Sequence, residues 1–199
     1  LGVMAGAAIL ATKLAPLVVA LILALSVPLA AMAMLARHRR LFVLTIAMIL
    51  LAGVGLIFHR DSFALTWMLW LVLVVVVTDI LGYFAGRLIG GPKFWPSVSL
   101  KKTWSGTVAG WVGAGVVGWA FMAQTGVGAE LVVISVALSV ASQMGDVAES
   151  ALKRQMGVKD SSNLLPGHGG VYDRFDGLLG AAFLLVIVES LTAFPPPPL

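Results

Sequence analysis

FALTWMLWLVLVVVVTD, residues 63–79, runs from Phe63 to Val77 without a charge and only then meets Thr78 and Asp79. A hydrocarbon core takes about 20 mostly apolar residues per spanning helix, so this run reads as a membrane helix that ends on an acid. Working outward, similar runs occupy Leu14–Leu35, Leu41–Phe58, Thr107–Ala123, Glu130 to about Met144, and Leu178–Phe194. The expectation is an all-α, polytopic integral membrane protein of about six spans joined by short connections, with the bilayer as its surroundings. Composition agrees: 60% of the 199 residues are hydrophobic and 11% charged, against about 25% charged in soluble domains.

The charges are placed asymmetrically. If the loop Arg37-His38-Arg39-Arg40 faces the cytoplasm, alternating spans put Arg87, Lys93, Lys101, Lys102, Lys153, Arg154, Lys159 and Arg174 on the same side. Lys13 and Arg60 fall opposite, a distribution of 11 against 2 among the 13 basic residues that follows the positive-inside rule. Arg37, Arg39 and Arg40 need no role beyond binding anionic headgroups. Residues 1–12 are apolar but too short to span, and the chain begins with Leu, so an interfacial piece, truncation or processing is expected there. Residues 1–62 read as amino-terminal apolar helices and 63–199 as the part carrying the chemistry, within one continuous membrane domain. Pro16 and Pro28 fall in the first span, where a kink is tolerated, and Pro195–Pro198 close the last helix.

With no cysteine, any metal must be held by oxygen or histidine ligands. GAGVVG at Gly113–Gly118 matches a dinucleotide pattern formally, but it lies in an apolar span with no strand before it. Close helix packing explains it, as it does Gly86/Gly90 and Gly106/Gly110. No phosphate loop of the GxxxxGK[ST] kind is present.

Polar chemistry is concentrated in three places: TDILGYFAGRLIG (78–90), SLKKTWSG (99–106), and the run from Met144 to Asp176. On a helix, Ser142, Asp146, Glu149 and Lys153 share one face. An acid inside a span is costly and faces a cavity or a partner, and an ion pair of Lys153 with Asp146 or Glu149 is the simplest structural alternative. The loop that follows contains PGHGGVYDRFD (166–176). Its Gly167, Gly169 and Gly170 allow backbone N–H groups to approach an anion. Asp173 and Asp176 are hard oxygen ligands suited to magnesium, and Lys153, Arg154, Lys159 and Arg174 can neutralise phosphates. Acids for a metal beside cations for phosphates are what phosphoryl or nucleotidyl transfer requires. His168 reads as a general acid or base, a phosphate contact or a turn residue; Glu189 is not assigned to the site.

The run Ser150 to Asp176 meets, without a break, the pattern S-x-hydrophobic-K-R-x4-K-D-x-small-x2-hydrophobic-P-x-H-G-G-hydrophobic-x-D-R-hydrophobic-D. It thereby resembles the phosphatidate cytidylyltransferases, which make CDP-diacylglycerol from CTP and phosphatidic acid. Asp79, Tyr83, Gly86 and Arg87 resemble that family's acidic-aromatic-glycine segment. Ser99, Lys101, Lys102, Thr103, Trp104 and Gly106 resemble its S-P-K-K-T-W-E-G loop, with Leu100 in place of proline and Ser105 in place of glutamate. The resemblance covers roughly residues 63–190; the amino-terminal part is shorter than is usual and matches only in being apolar.

The resemblance implies that Asp146 and Asp173 hold a catalytic Mg2+, with a second cation such as K+ nearby. It implies that Lys101, Lys102, Lys153, Arg154, Lys159 and Arg174 contact the triphosphate or the lipid headgroup. Asp79, Asp160, His168 and Asp176 would orient these groups, with Ser99, Thr103, Gly169 and Gly170 lining the substrate site. It further implies a homodimer in the cell (inner) membrane with its site facing the cytoplasm, and no nucleic-acid partner. Two other readings are another CTP-dependent lipid kinase or transferase, which would need a base for a hydroxyl acceptor, and an ion or lipid-phosphate transporter.

Overall fold

The computed structural model describes residues 6–10, 26–30, 32–33, 39–63, 65–96, 98–158, 160–162, 170–192 and 194–195. The chain divides into two compact units, Leu1–Ser62 and Phe63–Leu199. In the first, helix α1 (Arg39–Ser62) carries Ile46 and Leu50 into a small core with Ala8 and Val27 from helical residues 6–10 and 26–30. The first expected span, Leu14–Leu35, lies largely outside the described residues.

The second unit is built from helices α2 (Leu65–Leu88), α3 (Trp104–Thr125), α4 (Glu130–Met156) and α5 (Tyr172–Leu191). A short hairpin, β1 (Lys93–Trp95) with β2 (Ser99–Thr103), separates α2 from α3. Each helix packs on the next in sequence, and α4 and α5 return against α2. Helices α1 to α4 are each long and apolar enough to cross a membrane; at 1.5 Å per residue the 24 residues of α2 extend about 36 Å. Helix α5 begins earlier than the expected span at Leu178 and carries Asp173, Arg174 and Asp176 in its first turns.

The helices meet along narrow stripes. In α2, Trp67, Trp70, Leu71, Val74, Val75 and Thr78 are buried, a three-to-four-residue spacing that makes one face. Outward residues such as Leu69, Leu73, Val112, Val116, Trp119 and Val133 are exposed, as befits a surface solvated by lipid tails. Because lipid offers no hydrophobic gain for apolar contact between helices, close backbone approach and hydrogen bonds hold such bundles together. Trp70 Nε1 donates to Ser135 Oγ (2.9 Å) and Thr78 Oγ1 to Ser139 Oγ (2.8 Å), both joining α2 to α4.

The glycines of α3 serve the same end. A Cβ on Gly106 would collide with the carbonyl oxygen of Gly82, one on Gly113 with Leu81 and Val77, and one on Gly118 with Ser135. GAGVVG is therefore a helix-packing stripe. Between α4 and α5, a Cβ on Gly145 would lie 3.0 Å from Gly180 Cα, so these backbones pass in direct contact.

The lysine loop is more ordered than a polar connection. Its strands run antiparallel with Lys93 opposite Thr103 and Trp95 opposite Ser99, and Phe94 packs edge-on against Trp104, ring centroids 4.9 Å apart. Gly90 and Gly91, at φ of 67° and 104°, make the turn that a side chain would resist. Thr103 then caps α3, its Oγ1 accepting from Gly106 N at 3.3 Å. Ser105, which stands where the resembling family has glutamate, donates its hydroxyl to Gly90 O and so ties the turn to the start of α3.

Candidate active site at the polar ends of the helices

Helix α4 runs on past its apolar part to Met156, where Gly157 closes it at φ 68°. That extension carries Asp146, Glu149 and Lys153, and the glycine contact between α4 and α5 sets the first turns of α5, with Asp173 and Asp176, against it. From the other side the hairpin delivers Lys102. Its Nζ lies 2.6 Å from Asp146 Oδ2 and donates to Gln143 O at 3.2 Å.

Asp146, Glu149 and Asp176 each offer a carboxylate oxygen within 4.8 Å of the others. Glu149 is 1% exposed. One of its oxygens pairs with Lys153 Nζ at 2.7 Å, while Oε1 is buried with no hydrogen-bond partner among the described residues. A buried carboxylate oxygen without a donor is costly, and a cation is what such an oxygen lacks. Asp176 accepts from its neighbour Gly177 N at 2.8 Å. Burial, reinforced by the nearby Asp146 charge, pushes its carboxyl up to about 6, so this group also gains from a positive ion. All three donors are hard oxygens, and the set fits Mg2+.

Asp173, three residues before Asp176, does something else. Lys153 Nζ donates to its Oδ1 at 2.8 Å, and Oδ2 accepts from Ser161 N (2.9 Å), Ser161 Oγ (2.8 Å) and Gly170 N (2.6 Å). Burial opposes its charge, but its contacts with Glu149 and Lys153 and the two backbone donors outweigh that, holding its carboxyl well below the usual range. Lys153 thus bridges Glu149 and Asp173, linking α4 to α5, and Asp173 fastens the segments on both sides of residues 163–169.

Beside Asp146 opens a cavity of about 570 Å³ walled by α2, the hairpin, α3 and α4. Thr78, Asp79, Gly82, Tyr83, Gly86 and Arg87 contribute from α2, Lys93, Lys102 and Thr103 from the hairpin, and Gly106, Thr107, Gln143 and Asp146 from α3 and α4. Gln143 braces one wall: its Oε1 accepts from Trp111 Nε1 (3.0 Å) and its Nε2 donates to Thr107 O (3.2 Å).

A profile described as the cytidylyltransferase family matches residues 3–192. The chain belongs to the cytidylyltransferase family. It is 47% identical over 141 residues to a phosphatidate cytidylyltransferase of Brucella suis biovar 1 (strain 1330), covering 69% of this chain and 52% of that protein. To the phosphatidate cytidylyltransferase of Bacillus subtilis (strain 168) it is 42% identical over 136 residues, covering 63% and 51%. To that of Rickettsia bellii (strain RML369-C) it is 35% identical over 146 residues, covering 68% and 63%. The chain spans about half the length of the Brucella and Bacillus relatives.

For this cytidylyltransferase-family chain, the structure gathers Asp79, Lys102, Asp146, Lys153, Asp173 and Asp176 at one end of the bundle. Ser99 and Thr103 lie in β2, and Gly170 N is held by Asp173. Arg154, Asp160 and Arg174 are exposed near the same end. Lys159, His168 and Gly169, and the side chain of Lys101, lie outside the described residues. Sequence reasoning placed Glu149 on the shared face but did not make it a ligand. The signal was its spacing of i+3 from Asp146, together with the cost of an acid at a position that helical periodicity buries. Gln143 and Ser161 carried no such mark, because their partners belong to other elements.

Proposed function

We propose that the chain is a CTP:phosphatidate cytidylyltransferase, transferring CMP from CTP to phosphatidic acid to give CDP-diacylglycerol and pyrophosphate. The observation that carries this reading is the convergence of Asp146, Glu149 and Asp176 within 4.8 Å beside a cavity that Asp146 itself lines together with Lys102. The names of the related proteins support the choice of substrates.

In this reading a lipid phosphate oxygen attacks the α-phosphorus of CTP, and the bond to pyrophosphate breaks. The nucleophile is already an anion, so no side chain has to remove a proton. The barrier is the approach of two polyanions, and the residues present act on charge and position. Asp146, Glu149 and Asp176 would hold Mg2+, which when bound supplies charge neutralisation at the triphosphate. Lys102 and Lys153 add fixed cations on either side of that cluster, each already held in place by an acid. Asp173 positions Lys153 and both flanks of the glycine-rich loop.

The bundle explains why the site lies at helix ends: acyl chains stay among apolar side chains while the phosphate meets the nucleotide at the water boundary. The basic excess on one side supports a cytoplasmic face at the inner membrane, and a homodimer completes the proposed assembly. The test is transfer of labelled CMP from CTP to phosphatidic acid in detergent micelles, with and without Mg2+, beside the Asp146→Asn variant. Magnesium-dependent product that the variant fails to make is the expected result. Folded protein that transfers label only to a lipid alcohol would overturn the choice of acceptor.

A further inference from the structure

The cavity has a second charged end that the metal cluster and its lysines do not account for. Arg87 lies two turns beyond Asp79 on α2, about 12 Å along the helix axis, and Lys93 opens the hairpin. Both line the cavity. Both are exposed, and neither has a carboxylate partner among the described residues. Arg87 Nη1 donates to Tyr83 OH, one turn back, at 2.8 Å. That bond fixes the guanidinium while leaving its other N–H donors available. The tight turn at Gly90 and Gly91 reverses the chain so that Lys93 returns to the same space. Gly86, between Tyr83 and Arg87, leaves the wall open where a Cβ would press on Thr103 Oγ1.

Two cations facing one cavity, one of them a planar fork, suit a phosphomonoester dianion. The neighbouring surface indicates its source. Ile80, Phe84 and Leu88 succeed one another at i, i+4 and i+8 along α2 and are 48%, 53% and 79% exposed, forming an apolar strip next to the cavity-facing Asp79, Tyr83 and Arg87. A ligand with its phosphate on Arg87 and Lys93 can lay alkyl chains along that strip. Asp79, two turns back from Arg87, lines the cavity toward the carboxylate end, beside Asp146 and Lys102.

We infer that Arg87 and Lys93 form a phosphate subsite for the headgroup of the lipid substrate, at the hairpin end of the cavity and distinct from the carboxylate end. This rests on the transferase reading for its kinetics but not for binding.

The experiment therefore has two arms. In the first, Arg87→Gln, Arg87→Lys and Lys93→Gln are assayed for CMP transfer with lipid and CTP varied separately. The glutamine variants are expected to raise KM for phosphatidic acid by about tenfold or more, the loss of one charge-assisted hydrogen bond, with KM for CTP unchanged and partial recovery in Arg87→Lys. An unchanged lipid KM, or a rise confined to CTP, overturns the subsite. In the second arm, short-chain dihexanoyl phosphatidic acid and glycerol 3-phosphate are titrated calorimetrically onto detergent-solubilised protein without CTP. Binding of the lipid that Lys93→Gln weakens supports the subsite even if wild type transfers no CMP, whereas equal affinity for glycerol 3-phosphate overturns its lipid character. Lys93 is on an exposed strand, so its variant keeps the test decisive if changes at Arg87 impair folding.

Discussion

Lys102, on a five-residue strand, reaches Asp146 on α4 with 2.6 Å between Nζ and Oδ2. This contact joins the hairpin to the carboxylate cluster and places a cation at the cavity wall. The two side chains are 23% and 37% exposed, and ion pairs open to solvent contribute little to stability. Lys102→Gln should therefore melt close to wild type in detergent while losing on the order of 10²-fold in kcat, the scale for removing one preorganised charge-stabilising group. A parallel fall in melting temperature and activity would assign the pair to folding instead.

Glu149 and Asp173 separate two metal-site arrangements. Because Asp146, Glu149 and Asp176 converge while Asp173 is saturated by Lys153, Ser161 and Gly170, Glu149→Gln should raise the Mg2+ concentration needed for half-maximal activity by more than about tenfold. Asp173→Asn should leave that requirement nearly unchanged and lower kcat through loosened positioning of Lys153. Magnesium titrations of both variants, run side by side, decide between this arrangement and the Asp146/Asp173 pair implied by the family resemblance.

Asp173 also makes a pH prediction. Its folded-state pKa is depressed, so its stabilising contribution is present above the unfolded value of about 3.9 and is lost as pH falls through the folded value. Asp173→Asn should cost about 2 kcal/mol near neutral pH, the scale of charge-assisted hydrogen bonds. The gap to wild type should narrow steadily below about pH 4. Unfolding midpoints across pH 3–7 measure it; a gap independent of pH would mean that charge is not what Asp173 contributes.

Gly106 and Gly115 lie on the same helix and should respond oppositely to alanine. A Cβ on Gly106 meets backbone of Gly82 and Gly86, including Gly86 Cα at 3.4 Å, whereas one on Gly115 has Val136 Cγ2 at an ordinary 3.6 Å. Gly106→Ala should destabilise by about 1–3 kcal/mol through overpacking and distort the cavity, reducing activity. Gly115→Ala should be neutral or stabilising by up to about 1 kcal/mol from helix propensity. Thermal melts in one detergent compare them directly.

The amino-acid sequence alone determined the all-α class and, among the described residues, the four helices apolar enough to cross a membrane, because both are local properties. An uncharged run as long as a bilayer is thick has no other stable home, and a three-to-four-residue spacing puts Asp146, Glu149 and Lys153 on one face whatever surrounds them. It also marked the segment whose polar side chains gather at one end of the bundle. Tertiary structure decided which acids meet. Asp173 and Asp176 are three residues apart and chemically alike, yet one is bound by Lys153, Ser161 and Gly170 while the other joins Asp146 and Glu149. That choice depends on how α5 is rotated against α4, which the backbone contact at Gly145 and Gly180 fixes. The hairpin was legible only as a polar loop, since its strands are three and five residues long and their pairing exists only across the turn. Lys102 meets Asp146 for the same reason: 44 residues separate them in sequence, and the packing of α3 between α2 and α4 closes that distance.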